Sequence, residues 1–148
     1  MNRLFISSVV AVALCAAGSQ AQVTESTTRV ERQHKNLHRM EKKLDQIQAQ
    51  LIDVLRTGTP VVQAQAIQTI RELEQMFPTY SFDSMLLPLT KKLRDDNADS
   101  VVRLLAALAL DELHSDAGDA AVRDVAESSH EEGVRKLCEA LLVRSDYQ

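Results

Sequence analysis

The ten residues from Val101 to Leu110 constrain the fold of this chain more than any other stretch of its sequence. They read VVRLLAALAL, with Arg103 as the single charged residue. A helix of this composition presents apolar side chains on nearly every face, so neighbouring elements must cover it on more than one side. It follows a leucine-rich segment, Ser84 to Arg94, and an acidic turn, Asp95 to Asp99. This arrangement predicts two helices joined by a turn, with the second helix at the centre of the domain.

The sequence on both sides of this pair carries further helical signals and only weak strand signals. Thr28 and Glu31 form a capping box, which predicts a helix start, and Thr59-Pro60 places proline at the first position of another helix. Apolar residues recur at helical spacings in each segment, which predicts an all-α fold of three helix hairpins. The predicted helices cover residues 28–56, 60–77, 84–94, 100–114, 115–127 and, after a turn at residues 128–130, a segment that ends near residue 145.

The first of these helices carries an apolar seam with a seven-residue period. At 1.5 Å per residue it would be about 42 Å long, against about 26 Å for the helix that follows. We therefore expect about ten residues at its N-terminal end to extend past its neighbour. The seam residues are Val30, Leu37, Leu44 and Leu51 at the a positions and Met40, Ile47 and Val54 at the d positions.

The overhanging end belongs to a basic part of the chain. The segment from Arg29 to Arg56 holds seven basic and four acidic residues, whereas residues 57–148 hold nine basic and sixteen acidic residues. The overhang predicts a docking surface for a second helix, contributed either by another copy of this chain in a homodimer or by an acidic protein partner. A long end-capping helix with a basic tip is the alternative. The candidate partner-binding residues are Val30, Leu37, Arg39, Lys42 and Lys43.

Residues 1–21 have the layout of a secretory signal peptide. A positive charge at Arg3 precedes an apolar run, and small residues at Ser19 and Ala21 occupy the positions that a signal peptidase reads. We predict cleavage after Ala21, a flexible segment over residues 22–27, and export to the periplasm or cell envelope, with secretion also compatible. A retained N-terminal anchor helix is the alternative.

Cleavage would remove one basic residue from the total of 17, leaving 16 basic and 21 acidic residues. This negative balance argues against general affinity for nucleic acid, and no second apolar stretch is long enough to cross a bilayer. Cys15 would leave with the signal peptide, so Cys138 would have no partner for an intramolecular disulfide. We expect a buried, inert thiol at Cys138, with an intermolecular disulfide as the alternative.

The second, fourth and sixth predicted helices align with one another without gaps. The aligned segments are VQAQAIQTI from Val62, VRLLAALAL from Val102 and VRKLCEALL from Val134, offset by 40 and then 32 residues. Periods of this size are typical of helical repeat proteins. The middle segment reads V-R-x-x-A-x-x-A-L and follows an acidic turn, and this unit resembles a HEAT repeat.

The resemblance implies a right-handed, armadillo-like α-α superhelix over residues 28–145. Small residues on the second helices would let neighbouring helices approach closely. Arg103 would pair with Asp95, Asp96 or Asp99, and Arg135 would reach back to the same turn, as in the Arg–Asp ladders of the family. The structural repeat positions are Val62, Ala66, Asp96, Val102, Arg103, Ala106, Val134, Arg135 and Cys138.

These features predict a non-catalytic scaffold that binds a protein partner through its concave surface or its first helix. The HEAT-like deoxyhypusine hydroxylases hold iron with repeated His-Glu pairs inside several helices, whereas this chain has one such pair, His130-Glu131, at a helix start. We therefore expect no catalytic residues and no cofactor. The alternative function is a periplasmic metal- or ligand-binding regulator that uses His34 and His38, which lie one helical turn apart.

Overall fold

The structure, a computed structural model, describes the backbone of residues 18–145 and the side chains of residues 31–144. This part of the chain is helical and contains no strand, so the predicted all-α class is confirmed. Most of the predicted signal peptide, residues 1–17, lies outside the described residues. The α-helices are α1 (Gly18–Thr57), α2 (Pro60–Met76), α3 (Leu86–Arg94), α4 (Ser100–Glu112), α5 (Asp116–Ser128) and α6 (Glu132–Ser145), with a short 3-10 helix at Asp83–Met85.

The chain divides into two compact units, and the boundary falls inside α1. The first unit ends at Met40 and the second begins at Glu41. Within the first unit, α1 begins at Gly18 rather than at the predicted start, Thr28, and residues 22–27 lie within it. The capping box does not start the helix because neither glycine nor proline occurs between Gly18 and Gly58 to interrupt it.

Helix α4 is the centre of the second unit. It packs against α2 and α6 on one hand and against α3 and α5 on the other. Of the residues predicted to be sandwiched, only Val101 is exposed, at 55% of its surface. The prediction of a central apolar helix is therefore confirmed.

The helices of the second unit contact one another in a regular order. Each of the last two hairpins packs its own helices together, α3 with α4 and α5 with α6. Between hairpins, α2 contacts α4, α4 contacts α6, and α3 contacts α5. Even-numbered helices thus follow one another in one layer and α3 and α5 lie together in a second. Because each hairpin covers the apolar faces of the next, one continuous core runs through the unit.

Ion pairs bridge these contacts between hairpins. Arg71 on α2 donates two hydrogen bonds to the Glu112 carboxylate on α4, one from Nε over 2.8 Å. This hydrogen bonding raises the pKa of Arg71 further above its ordinary value. Arg144 on α6 donates to the buried carboxylate of Asp111 on α4. Charge-assisted, partly buried pairs hold side chains in defined positions. Two of the four helices that contact α4, α2 and α6, are therefore tied to its C-terminal end.

The buried face of α1 in the second unit differs from the predicted heptad seam. Leu44 and Leu55 are buried and Leu51 is half-buried, but Ile47 at a predicted d position is exposed. The buried residue next to it is Gln48, whose amide donates to the Ser81 carbonyl oxygen over 3.2 Å. Its side-chain oxygen accepts a hydrogen bond from the Ser84 hydroxyl. The buried and half-buried positions 44, 48, 51 and 55 still follow spacings of four, three and four residues, but Gln48 and Leu55 stand where Ile47 and Val54 were predicted. Both the amide nitrogen and the amide oxygen of Gln48 are hydrogen-bonded there.

The segment before α3 also departs from the prediction in one respect. The helix was predicted to begin at Ser84, but Ser84 lies inside the 3-10 helix and its hydroxyl donates to the side-chain oxygen of Gln48. Phe82 is buried and stacks edge-on against Tyr80, with ring centroids 5.1 Å apart. The connector between α2 and α3 therefore contributes aromatic side chains to the core.

Gln63, rather than Val62, is buried at the start of α2. Val62 is 43% exposed, whereas the aligned repeat positions Val102 and Val134 are buried. The Gln63 amide donates to the carbonyl oxygens of Leu55 over 3.1 Å and Gly58 over 2.9 Å. Carbonyls at the end of a helix have no partner within it. The buried Gln63 amide therefore supplies a donor to one carbonyl in the last turn of α1 and to one just after the helix.

Substituting Gln63 with alanine should lower the free energy of unfolding by about 1–2 kcal/mol, because two carbonyl oxygens lose their donor in a partly buried setting. Chemical denaturation followed by circular dichroism measures this change. Gln65→Ala is the matched control, since Gln65 lies on the same helix with an exposed side chain, and it should change stability by less than about 0.5 kcal/mol. Equal effects of the two variants would contradict the capping role.

Candidate interaction surface

In the first unit, the described side chains of α1 are all exposed. They belong to residues 31–40. Leu37 and Met40 are apolar members of this segment and are 53% and 39% exposed. Together with Gln33 and Asn36 they line a shallow groove of about 280 Å³. Exposed leucine and methionine side chains one helical turn apart are typical of a surface on which another helix docks.

Basic residues accompany this apolar pair. Arg32, Lys35 and Arg39 lie in the same segment against a single acidic residue, Glu31. We call residues 31–40, with Leu37 and Met40 at their apolar centre, the N-terminal face. Its charge favours an acidic partner over a basic one, because complementary charge speeds and orients association.

The other predicted partner-binding residues fall outside this face. Lys42 and Lys43 belong to the second unit, where both are exposed. The side chain of Val30 lies outside the described residues. The structure therefore places Leu37 and Arg39 together in one exposed segment and adds Met40, which the heptad pattern had assigned to the seam.

His34 and His38 lie one helical turn apart on α1, and both side chains are exposed. Within residues 31–144, no group of three or more His, Cys, Asp and Glu side chains is placed to hold a metal ion. The structure thus brings no third ligand of these types to the two histidines within that range.

Arg103 is the most heavily bonded side chain among the repeat positions. It is 2% exposed, and its Nε donates to the Leu93 carbonyl oxygen over 3.1 Å at the C-terminal end of α3. Its remaining nitrogens contact the Asp96 carboxylate at 2.9 Å, the Ser129 hydroxyl at 3.3 Å and the Glu131 carboxylate at 3.5 Å. One guanidinium thus joins the acidic turn before α4 to the turn before α6. The predicted pairing of Arg103 with this turn is confirmed at Asp96.

Arg135 does not make the contact predicted for it. It is half-buried, and its Nε lies 3.7 Å from Glu139 on the same helix. The link between the two turns runs the other way, forward from Arg103 to Glu131. The reason is geometric: Arg103 is buried between the turns, and its planar fork offers enough donors for both.

The same repeat position performs the same task in two of the three aligned segments. Gln63 donates to carbonyls at the end of α1, and Arg103 donates to a carbonyl at the end of α3. In each case the first turns of a second helix satisfy the end of the first helix. Ala66, Ala106 and Cys138 are all buried at the aligned small position, so this part of the repeat pattern matches the packing.

The thiol of Cys138 is fully buried. Burial raises its pKa to about 11, although the nearby Arg103 guanidinium acts in the opposite direction. Because the folded-state pKa lies above the unfolded one, the buried thiol stabilises the fold below the unfolded pKa, and this contribution is lost as the pH rises towards 11. A neutral, inaccessible thiol is a poor nucleophile.

We therefore expect slow labelling of Cys138 by a disulfide reagent such as DTNB. In a Cys15→Ser variant, where Cys138 is the single thiol, the native protein at pH 8 should react at least about 100-fold more slowly than in urea. The rate should rise at higher pH as thiolate forms and stability falls. Equal rates in buffer and in urea would show that the thiol is accessible in the native protein.

A second groove lies within the second unit, between α1 and α3. It has a volume of about 350 Å³ and is lined by Ile52, Leu55, Arg56, Leu87, Pro88, Lys91, Lys92 and Asp95. The sequence did not single out this site, because Leu87 stands among core leucines and carries no distinguishing signal. We call these residues the α1–α3 groove.

Known proteins give no further identification. No family model, no curated protein sequence and no solved structure matches the chain. The resemblance to HEAT repeats therefore rests on this chain's own residues. None of the helices in the described part combines the length and the apolar character that a membrane span needs.

Proposed function

We propose that this protein is a non-catalytic interaction scaffold of HEAT-like type, exported to the periplasm or cell envelope, and that it recruits a protein partner through the N-terminal face. The observation that carries the proposal is the exposure of every described side chain in residues 31–40, including Leu37 and Met40, on a helix that also carries basic residues. An acidic amphipathic helix is the partner that fits this chemistry.

The order of helix contacts supports the repeat assignment. Helices α2, α4 and α6 contact one another in sequence, and α3 contacts α5, which is the pattern expected when hairpins stack as in an α-solenoid. The Arg103 contacts support the repeat assignment as well, because they join the turn of one helix hairpin to the turn of the next. A right-handed superhelix is part of the proposal.

The apolar N-terminal sequence supports export. Residues 1–21 have the charge, the apolar run and the small residues of a cleavable signal. Protein sequencing of the N-terminus of the purified native protein tests this part, and a first residue of Gln22 is the expected result.

The double variant Leu37→Asp/Met40→Asp tests the docking face. The two aspartates remove the apolar contact and repel an acidic partner, so the amount of partner captured should fall by about tenfold or more. Crosslinking in the native envelope with identification of what co-purifies measures hetero-association, and light scattering after size exclusion measures dimerisation. The melting temperature should stay within about 2 °C of wild type, because both side chains are exposed.

A matched control keeps this test specific. Val61→Asp/Val143→Asp introduces the same charges at two other exposed apolar residues, which are 68% and 59% exposed. This control variant should capture as much partner as wild type and have the same oligomeric mass. If the Leu37/Met40 variant also keeps the partner and the oligomeric mass of wild type, the N-terminal face is not the docking site.

A further inference from the structure

We propose that the α1–α3 groove is a second docking site, which takes an acidic peptide segment anchored by one large apolar side chain. This site goes beyond the proposed function, because it lies wholly within the second unit and shares no residue with the N-terminal face. Its occupant is therefore a separate ligand or a separate segment of a partner.

The floor and walls of the groove are apolar. Ile52 and Leu55 contribute from α1, and Leu87 and Pro88 contribute from α3. A volume of about 350 Å³ lies at the small end of the range for ligand pockets. Leu87 is 63% exposed, although Met85 and Leu89, two residues away on either side, are buried. The groove therefore offers apolar surface that an inserted side chain would remove from water.

The rim of the groove is basic. Arg56, Lys91 and Lys92 face a single acidic lining residue, Asp95. Arg56 is already paired with Asp53 at 2.6 Å. Among residues 31–144, neither lysine forms an ion pair. Two unpaired ammonium groups beside an apolar floor complement a carboxylate-bearing segment.

The helix dipole alone does not explain this arrangement. Basic residues are favourable in the last turn of a helix, which accounts for Lys91 and Lys92 at the end of α3. It does not account for Leu87, one turn earlier, beside an open apolar groove. The combination of an uncovered leucine and unpaired cations at one place is what indicates a ligand.

The openness of the site favours a peptide over an acyl chain. A lipid chain is stable in a site that buries most of its surface, whereas Leu87 shows by its exposure that the groove is open on one side. A peptide keeps its polar backbone in water and inserts only a side chain, as helices do when they dock in grooves. The acidic residues of that peptide then meet Lys91 and Lys92.

Selection of random peptides displayed on phage against the purified protein tests the proposal. The recovered sequences should combine Asp or Glu with Leu, Phe or Trp, and the best of them serves as a fluorescein-labelled probe for anisotropy. Leu87→Asp should weaken probe binding by about tenfold or more. Lys91→Glu/Lys92→Glu should weaken it as well, and a probe with its acids changed to lysine should bind that variant better than wild type. A merely structural role of the lysines would not produce this reversal.

Two controls separate this site from other surfaces. Val101→Asp alters an apolar residue of similar exposure, 55%, on α4, and Leu37→Asp alters the N-terminal face; neither should change probe affinity. Undiminished binding to Leu87→Asp, or no reversal by the lysine-bearing probe, would overturn the proposal. So would binding to phosphatidylglycerol vesicles that Leu87→Asp abolishes while peptide binding persists, since the occupant would then be a membrane surface.

Discussion

Replacing Arg103 with alanine should lower the free energy of unfolding by about 3 kcal/mol. The guanidinium is buried and bonded to four groups on three segments: the end of α3, the acidic turn and the turn before α6. Its loss leaves the Leu93 carbonyl without its donor, opens a cavity and frees two turns from each other. Urea denaturation monitored by circular dichroism measures the change, and a calorimetric scan provides an independent check.

Two further variants separate the causes of this loss. Arg103→Met keeps most of the volume and removes the hydrogen bonds, and we expect a loss of about 2 kcal/mol. Arg135→Ala is the matched control at the aligned repeat position, where the side chain is half-buried and pairs within its own helix. It should cost less than about 0.5 kcal/mol. If Arg103→Met is as stable as wild type, the network does not stabilise the fold. The cost of removing the buried charges from water would then equal the gain from their contacts.

The all-α class and the central position of α4 were predictable because they follow from composition and period. A ten-residue helical segment with one charged side chain has no polar face to present to water, and helical spacing elsewhere supplied amphipathic partners for it. The helix ends at Thr57 and Pro60 were predictable too, since glycine and proline act locally. These features need no knowledge of which helix touches which.

Polar core residues were not predictable, because their burial depends on partners far away in sequence. Gln48 and Gln63 look like surface residues in a pattern of apolar spacing, yet both are buried through hydrogen bonds to backbone carbonyls. The heptad assignment placed Ile47 in the seam for the same reason. A pattern that counts only apolar side chains assigns the neighbouring residue when the true core residue is polar.

The candidate sites depend on the same kind of information. The basic and apolar character of the N-terminal face was visible in the sequence, because it needs only the helix period and the charges. The α1–α3 groove was not, since Leu87 differs from its buried neighbours only in what lies opposite it. The direction of the Arg103 link was also hidden, because both arginines follow the same motif and burial alone distinguishes them.

Replacing Leu110 with alanine should produce the largest loss of stability, about 3–4 kcal/mol. Leu110 is fully buried, and it lies where α5 approaches α4 so closely that a β-carbon on Gly118 would come within 3.0 Å of the Leu110 carbonyl oxygen. Such tight backbone packing leaves little freedom to collapse around the missing atoms. Since small domains are stable by about 5–15 kcal/mol in total, Leu110→Val, with an expected loss of about 1 kcal/mol, provides a milder variant that stays folded.

The way in which this loss spreads distinguishes a central helix from a local one. Because α4 contacts α2, α3, α5 and α6, weakening its core should lower hydrogen-exchange protection in α2 and α6 by similar amounts while unfolding stays a single transition. Val101→Ala, on the exposed end of the same helix, should leave protection unchanged throughout. Loss of protection confined to α5 and α6 would instead mean that the last hairpin is stabilised independently, and that the hairpins act as separable units as in long repeat arrays.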